Sequence, residues 1–263
     1  MNSKYLGVLA GLLLAPTLAA ADGVIVGDRE WRQPIDTTGF DWSEVASVCS
    51  ATTGVCAGSL DGVSFDGWTW ASIEDVQELF EQLIKPGSIE FPTIDTNYQA
   101  ANDPDIRAAL GPGGFTPLAT DFGPVRTGGW TRSVFMFPPL YFAPYLLLEE
   151  PGSPQDFACL YCAGIGNDTG NYRGNWMYRP ATPTQLLDRL AASVAGVGPG
   201  DSFSGKIADA QAYFETGDIV AACSTLNAFQ NQLRALSGKR LSDAEAAGLT
   251  ESVNTLKQVM GCT

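Results

Sequence analysis

The chain has 263 residues, with 29 Asp or Glu against 15 Lys or Arg, and it contains no histidine. Its formal net charge of −14 disfavours nucleic acid, anionic lipid and polyanionic glycans as partners. The absence of histidine excludes Ser-His-Asp and Cys-His catalysis, and also any zinc site that uses an imidazole ligand.

Residues 1–21 have the pattern of a secretion signal. Lys4 supplies the positive charge, residues 5–14 form the apolar segment, and Ala19–Ala21 precede a cleavage point before Asp22. The apolar segment is shorter than the roughly 20 residues that span a bilayer, and prolines interrupt the apolar stretch 135–148. We therefore expect a secreted or periplasmic protein that does not insert into membranes, with an exported chain that begins at residue 22.

Residues 22–180 are expected to form the first domain, which opens with a strand and a short helix. Residues 23–35 predict the strand, interrupted by a Gly-Asp turn. Asp41 and Glu44 have capping-box spacing at the start of the helix, and Phe40 with Val45 forms a hydrophobic staple around it.

The strongest folding signal is residues 61–84, a Gly-rich aromatic segment that leads into an amphipathic helix. Ser72 is the predicted N-cap, with Asp75 three residues later. The helix then carries one apolar stripe, which consists of Val76, Leu79, Phe80, Leu83 and Ile84. Trp68 and Trp70 are expected to bury against this stripe, as core residues rather than ligand contacts.

Residues 86–154 are rich in Gly and Pro, which predicts long loops that could present a binding surface. A short helix at 104–110 and a strand at 130–137 are the regular elements expected there. The candidate ligand contacts are Trp130, Tyr141 and Tyr145, because aromatic rings stack on sugar faces or fill protein pockets. For each of them, packing in the core or within a loop is the alternative.

Six cysteines in an exported chain indicate disulfide bonds. Proximity favours three local pairs, which are Cys49 with Cys56, Cys159 with Cys162, and Cys223 with Cys262. Two alternatives stay open: a zinc site on the first four thiolates, and a redox role for the Cys-x-x-Cys pair at 159–162.

Residues 164–180 predict a polar turn followed by a closing strand. Asp168-Thr-Gly resembles the aspartic-protease tripeptide, but it lacks a preceding hydrophobic strand and a second copy. A plain turn explains it better. Asn167 and Asp168 are the candidate ligands for calcium, since hard cations prefer such oxygens, and no other cofactor is expected.

Residues 181–263 are expected to form a second domain, after a change of composition at 179–183. Four helices are predicted at 184–194, 204–215, 218–236 and 242–260, and Gly217, Gly238 and Gly261 mark helix ends. A bond between Cys223 and Cys262 would then join the third helix to the end of the fourth.

This second segment resembles the FIMAH-type domain found at the ends of secreted bacterial proteins. The matching residues are Pro183–Leu187, Gly198–Ser202, Lys206, Ala222–Phe229, Gly238, Lys239, Leu241, Gly261 and Cys262. The resemblance covers about 183–262 and implies an accessory helical module with no known chemistry.

The first domain is similar to the C-terminal domain of Legionella collagen-like proteins. The matching segments are Trp42–Cys49, Asp66–Ser72 with the helix after it, and Gly174–Arg179; the family's Trp-Arg-Leu-Pro is Trp-Thr-Trp-Ala at 68–71. The resemblance implies a C-type-lectin-like fold, in which two helices flank a small antiparallel sheet and the 86–154 loops bind ligand. It also suggests polyanion binding, with which the acidity of this chain conflicts.

The expected fold class is therefore α+β, a lectin-like domain followed by a four-helix all-α domain. The expected function is non-enzymatic recognition of an extracellular glycan or protein through the 86–154 loops. One alternative is an extracellular hydrolase that uses paired carboxylates, for which the candidates are Asp66, Glu74, Asp121 and Asp168. Another is a structural matrix component without a specific ligand.

Overall fold

The described residues form α-helices and small β-sheets, which confirms the mixed α and β composition. The structure is a computed structural model, and it describes residues 23–83, 97–100, 108–110, 114–116, 126–133, 140–142, 145–147, 156–159, 163–165, 173–198 and 201–262. No helix in these ranges is both long and apolar enough to cross a membrane.

The elements are numbered here in chain order. The strands are β1 (Val24–Val26), β2 (Arg29–Trp31), β3 (Ser59–Leu60), β4 (Val63–Ser64), β5 (Thr69–Trp70), β6 (Asn97–Ala100), β7 (Arg126–Trp130), β8 (Leu140–Phe142), β9 (Tyr145–Leu147), β10 (Asp156–Cys159), β11 (Ala163–Ile165), β12 (Gly174–Asn175) and β13 (Met177–Pro180). The helices are α1 (Trp42–Val48), α2 (Ile73–Leu83), α3 (Pro183–Val194), α4 (Ser202–Glu215), α5 (Ile219–Leu236) and α6 (Asp243–Met260), with a 3-10 turn at Pro34–Thr37.

A four-stranded antiparallel sheet, in the order β1-β2-β13-β5, forms the centre of the N-terminal part. The segment expected to be one interrupted strand is a hairpin, because Gly27 adopts a φ of 60° in the turn between β1 and β2. Strand β13 pairs with β2, so the end of the N-terminal part lies beside its first hairpin.

Helix α2 covers one face of this sheet. Its capping box is present, since the Asp75 amide donates to Ser72 Oγ at 3.2 Å and the Ser72 amide donates to Asp75 Oδ2 at 2.8 Å. The stripe residues Val76, Leu79 and Phe80 are buried against tryptophans of the sheet region, namely Trp31 and Trp176. Leu83 is partly buried, and Ile84 lies outside the described residues.

Helix α1 covers the opposite face, and this is where Trp70 lies. Register places Trp70 opposite Met177, and its ring is 5.2 Å from that of Trp42 in α1. The expectation that Trp68 and Trp70 pack on the α2 stripe is therefore wrong. Trp70 pairs with Met177, whose side chain points to the face opposite that of its neighbour Trp176, and only Trp176 belongs to the cluster that contains the stripe. The core role expected for Trp70 is confirmed, since its side chain is completely buried.

The N-terminus of α1 folds as predicted. Asp41 and Glu44 form the capping box, and Phe40 and Val45 are both buried in the cluster around Trp70. The disulfide between Cys49 and Cys56 lies in the same cluster and closes the turn that follows the helix.

The remaining described strands form one five-stranded sheet and two pairs. The five-stranded sheet has the order β12-β7-β9-β10-β6 and contains a parallel β12–β7 pair; the two pairs are β8–β11 and β3–β4. The strand expected at 130–137 is instead Arg126–Trp130, which ends where it was expected to begin, and residues 134–139 lie outside the description. Of the short helix expected at 104–110, residues 108 and 109 are helical.

Helices α3 to α6 pack around one apolar core, in which residues such as Leu187, Ile207, Leu226, Phe229 and Val253 are completely buried. The four helices begin within two residues of their expected positions, because Thr182, Asp218 and Ser242 act as N-caps. Glycines with positive φ follow the helices, as expected for C-caps. The Cys223–Cys262 disulfide is present and ties α5 to the end of α6.

The helical part contacts the sheet directly. Ile25 of β1 packs against the helical core, and the Ala181 amide donates to the Asp28 carbonyl at 2.8 Å. Gln185, the third residue of α3, donates from Nε2 to Glu30 Oε2 at 2.8 Å. These contacts bring the β1–β2 hairpin beside α3, and they create the cleft described next.

Candidate functional site

A cleft of about 350 Å³ lies between the β1–β2 hairpin, the end of α2, and helices α3 and α6. We call it the interface cleft. It falls within the size range of small-molecule sites. It lies where the sheet part of the chain meets the helical part, which is a common place for ligand sites.

The floor of the interface cleft is apolar. Its four nearly buried side chains are Val26, Leu186, Leu190 and Leu249. Leu186 and Leu190 are separated by one helical turn, which places both on the same face of α3. These side chains also belong to the apolar clusters of the protein, so the floor is held in place by core packing.

The rim of the interface cleft is polar. Helix α3 contributes Arg189 and Ser193, which follow the floor residues at helical spacing. The other polar rim residues are Gln82 from α2 and Glu251, Ser252 and Thr255 from α6. An apolar floor with a few polar groups at the edge is the usual composition of a binding pocket.

Arg189 is the cation of the interface cleft. Among the described residues, none forms a hydrogen bond or ion pair with its guanidinium, although more than a third of the residue is accessible. Desolvation nevertheless lowers the pKa of Arg189 below its ordinary value. Arg189 is one of the residues that line the interface cleft. Arginine remains charged at physiological pH.

Glu251 is the anion at the rim. It lies on α6 and is exposed, and it forms no ion pair with Arg189. The interface cleft therefore presents one positive and one negative group, neither of which neutralises the other by direct contact. Ser193 and Ser252 hydroxyls donate to backbone carbonyls of Arg189 and Gly248, and their oxygens keep acceptor capacity for a bound group.

Two glycines shape the interface cleft. A Cβ at Gly27 would lie 2.7 Å from Gln82 Oε1, so the absence of a side chain lets α2 approach the hairpin turn. Gly248, inside α6, has open space where its Cβ would be. A glycine in a helix interior costs stability relative to alanine. Here it leaves this part of the cleft wall without a side chain.

Glu30 fixes the hairpin to α3 beside the cleft. Its buried carboxylate accepts two hydrogen bonds from Arg179, at 2.8 and 2.9 Å, and one from Gln185. Burial raises the pKa of Glu30, but these bonds and the charge of Arg179 outweigh it, so its pKa lies below the ordinary value. The carboxylate thus holds β2, β13 and α3 together in charged form.

Of the expected aromatic contacts, Trp130 is completely buried, in the cluster that contains Trp70. This burial agrees with core packing, the alternative given for Trp130, and argues against a ligand contact, because β7 ends next to α1, where Trp42 Nε1 donates to the Thr131 carbonyl. Tyr141 and Tyr145 lie in β8 and β9, but the positions of their side chains are outside the description. Trp130 is not among the described residues that line the interface cleft.

The expected metal residues Asn167 and Asp168 lie outside the described residues, so the calcium hypothesis stays a prediction. Within the described ranges, no group of three His, Cys, Asp or Glu side chains is arranged to hold a metal ion. The zinc alternative on four cysteines is wrong, because Cys49 and Cys56 are bonded to each other. Cys162 lies outside the description, so its pairing with Cys159 and its redox alternative stay predictions.

Two of the carboxylates considered for hydrolysis have visible surroundings. Asp66 accepts a hydrogen bond from the Gly58 amide at 2.6 Å and so stabilises a turn. Glu74 is exposed in the first turn of α2, where negative charge suits the helix dipole. Asp121 and Asp168 lie outside the description.

Trp68, the other tryptophan considered above, contacts two arginines. The guanidinium carbons of Arg32 and Arg179 lie 5.4 and 4.5 Å from its ring centroid. Arg32 also donates to the Ser64 carbonyl at 2.8 Å, and Arg179 is held by Glu30. Trp68 therefore packs within a cation–π cluster at the sheet surface.

Comparison with known proteins gives no match: no family model, no curated protein and no solved structure is similar to the chain at a significant level. The assignment of function therefore rests on the geometry of the interface cleft and on the sequence.

Proposed function

We propose that this chain is an exported, non-enzymatic recognition protein whose extracellular ligand binds in the interface cleft. The observation that carries the proposal is the cleft itself, in which an apolar floor is rimmed by a cation with no partner among the described residues. A buried floor supplies affinity through the hydrophobic effect, and a rim arginine supplies orientation.

Binding fits the cleft better than catalysis does. The chain has no histidine, and Glu251 is the only carboxylate among the described lining residues. General acid–base hydrolysis by carboxylates uses two groups that face each other across the substrate. A lone carboxylate beside an arginine instead resembles a site that recognises charge.

The lectin-like fold of the N-terminal part belongs to the same proposal. Its support is the pairing of β2 with β13 and the presence of one helix on each face of the sheet. In such a fold the segment between α2 and β13 presents a surface, so the 86–154 loops are proposed as a second contact area. The helical part is proposed as the wall of the cleft as well as a spacer.

Substitution at Gly248 tests the proposal. Because its Cβ would meet open space, Gly248→Trp should fill the interface cleft without disturbing the core of the helices. The purified protein is applied to a glycan array and to a peptide array. We expect the wild type to capture a defined set of ligands and Gly248→Trp to lose them.

Gly248→Ala is the matched control, since it adds a methyl group at the same position and leaves most of the cleft open. It should capture the same ligands as the wild type. The proposal fails if the folded wild type, checked by far-ultraviolet circular dichroism, captures nothing on either array. It also fails if Gly248→Trp captures the wild-type set undiminished.

A further inference from the structure

The two opposite charges on the rim of the interface cleft have no role in folding that the structure shows. Arg189 and Glu251 lie on different helices and form no ion pair with each other. Ion pairs elsewhere are formed where they are structural, for example between Arg179 and Glu30 at 2.8 Å. A cation and an anion that share a small cleft without pairing are available to a ligand that carries both signs.

The overall charge of the protein favours a ligand that has no net charge. With a formal charge of −14, the protein repels a simple anion as it approaches. A molecule with one carboxylate and one ammonium group has no net charge and escapes this repulsion. Its carboxylate matches the fork of hydrogen-bond donors on an arginine, and its ammonium group matches a glutamate.

The apolar floor of the cleft indicates the chemistry of the uncharged part of the ligand. Leu186, Leu190 and Leu249 line the same cleft as the two charged groups and are aliphatic. The volume of about 350 Å³ suits a small molecule and not a long chain. An aliphatic side chain on the ligand would cover the leucines and remove apolar surface from water.

We propose that the interface cleft binds a small zwitterion with an aliphatic side chain, such as a hydrophobic amino acid or dipeptide. Arg189 takes the carboxylate and Glu251 takes the ammonium group. This inference rests on the proposed function and names the class of ligand for the same site. Ser193 and Ser252 also line the cleft.

The test is isothermal titration calorimetry with the dipeptide alanyl-leucine and two capped forms of it. The wild type should bind the dipeptide with free termini. Amidation of its C-terminus should weaken binding about 10- to 100-fold, because a charge-assisted hydrogen-bond pair is lost. Acetylation of its N-terminus should weaken binding through the loss of the contact with Glu251.

Variants assign each end of the ligand. Arg189→Gln should weaken binding of the free dipeptide by about as much as amidation of the dipeptide does. It should leave the affinity for the amidated form nearly unchanged. Glu251→Gln should weaken binding of the free dipeptide by about as much as acetylation does, and should leave the affinity for the acetylated form nearly unchanged. Arg189→Lys keeps the charge but loses the planar fork, so its affinity should fall between those of the wild type and Arg189→Gln. Thermal unfolding confirms that each variant is folded.

The inference is overturned if the wild type binds the amidated and free dipeptides equally well, or if it binds neither at millimolar concentration. If Gly248→Trp loses the array ligands while no dipeptide binds the wild type, the cleft is the site but the ligand class is wrong. If the free dipeptide binds Gly248→Trp as tightly as the wild type, the zwitterion binds elsewhere and the inference is also wrong.

Discussion

At the scale of single residues, Glu30 links three elements of the fold through its carboxylate. It is buried, and it accepts hydrogen bonds from a strand and from a helix that follow it by about 150 residues. Removal of its charge would leave the Arg179 guanidinium without its partner in a partly buried place. Loss of one partner of a buried pair is strongly destabilising.

We therefore predict that Glu30→Gln lowers the free energy of unfolding by roughly 2–3 kcal/mol at pH 7, less than for a fully buried pair because Arg179 is half exposed. Urea unfolding measures it. The matched control is Glu78→Gln, because Glu78 is 55% exposed and pairs with Arg29 at 3.2 Å. That substitution should change stability by no more than about 0.5 kcal/mol.

The same residue predicts a dependence on pH. The pKa of Glu30 is below its ordinary value of 4.5 in the folded protein. Its contribution is therefore fully present above that value and is lost as the pH falls through the folded pKa. The stability difference between wild type and Glu30→Gln should shrink below about pH 4.5. A difference that stays constant down to pH 3 would contradict this assignment.

Two Gly→Ala substitutions should act in opposite directions. A Cβ at Gly174 would collide with the carbonyl oxygen of Pro34, whereas a Cβ at Gly205, inside α4, meets nothing within 4 Å. We expect Gly174→Ala to cost about 3 kcal/mol and Gly205→Ala to add about 0.5–1 kcal/mol. Thermal unfolding tests both substitutions. If they changed the stability equally, β12 would not lie as close to the 3-10 turn as the structure has it.

At the scale of elements, local chemistry made several parts predictable. The capping residues Asp41, Ser72 and Ser242 all lie within three residues of the groups they bind, so spacing alone identifies them. Two disulfides joined the neighbouring cysteines that proximity favours. Contacts between distant parts of the chain were not predictable, which is why the expected partner of Trp70 was wrong.

The interface cleft shows the same limit. Arg189 and Glu251 look like ordinary exposed positions of amphipathic helices, and only the docking of the hairpin on the helices makes a cleft of them. The one local signal was Gly248, a glycine in a helix interior with no structural need for it. Trp130 was expected to begin its strand and in fact ends it, so the strand position of this residue was not predictable from the local sequence.

The Cys223–Cys262 disulfide is the element-scale feature with the clearest energetic consequence. It closes a loop with a sequence separation of 39 residues. Replacement of both cysteines by serine should lower the stability by about 3–4 kcal/mol, since the unfolded chain regains the entropy of that loop. Urea unfolding of the double variant measures this, and a loss below about 1 kcal/mol would mean that the bond constrains little.

At the scale of the whole molecule, the sheet and the helices should unfold together. All six tryptophans precede residue 181, whereas α3 to α6 dominate the helical circular dichroism signal. Fluorescence and circular dichroism therefore follow different parts of one chain. We predict coincident midpoints for the wild type, because Ile25, Glu30 and Ala181 join the parts.

Glu30→Gln should separate these two midpoints, since it breaks the carboxylate link between β2 and α3. Glu78→Gln again serves as the control and should leave them coincident. Separate midpoints already in the wild type would mean that the two parts are energetically independent, and that the interface cleft is not a rigid site.

Nuclear magnetic resonance of the labelled protein, titrated with the tightest ligand that the arrays identify, tests whether the interface cleft is the binding site. If the ligand binds in the interface cleft, the largest shifts should occur at the Gly27 and Gly248 amides, the Gln82 side-chain amide and the Arg189 Nε–H group. Saturating shifts elsewhere, with these four signals unmoved, would show that the ligand binds outside the interface cleft.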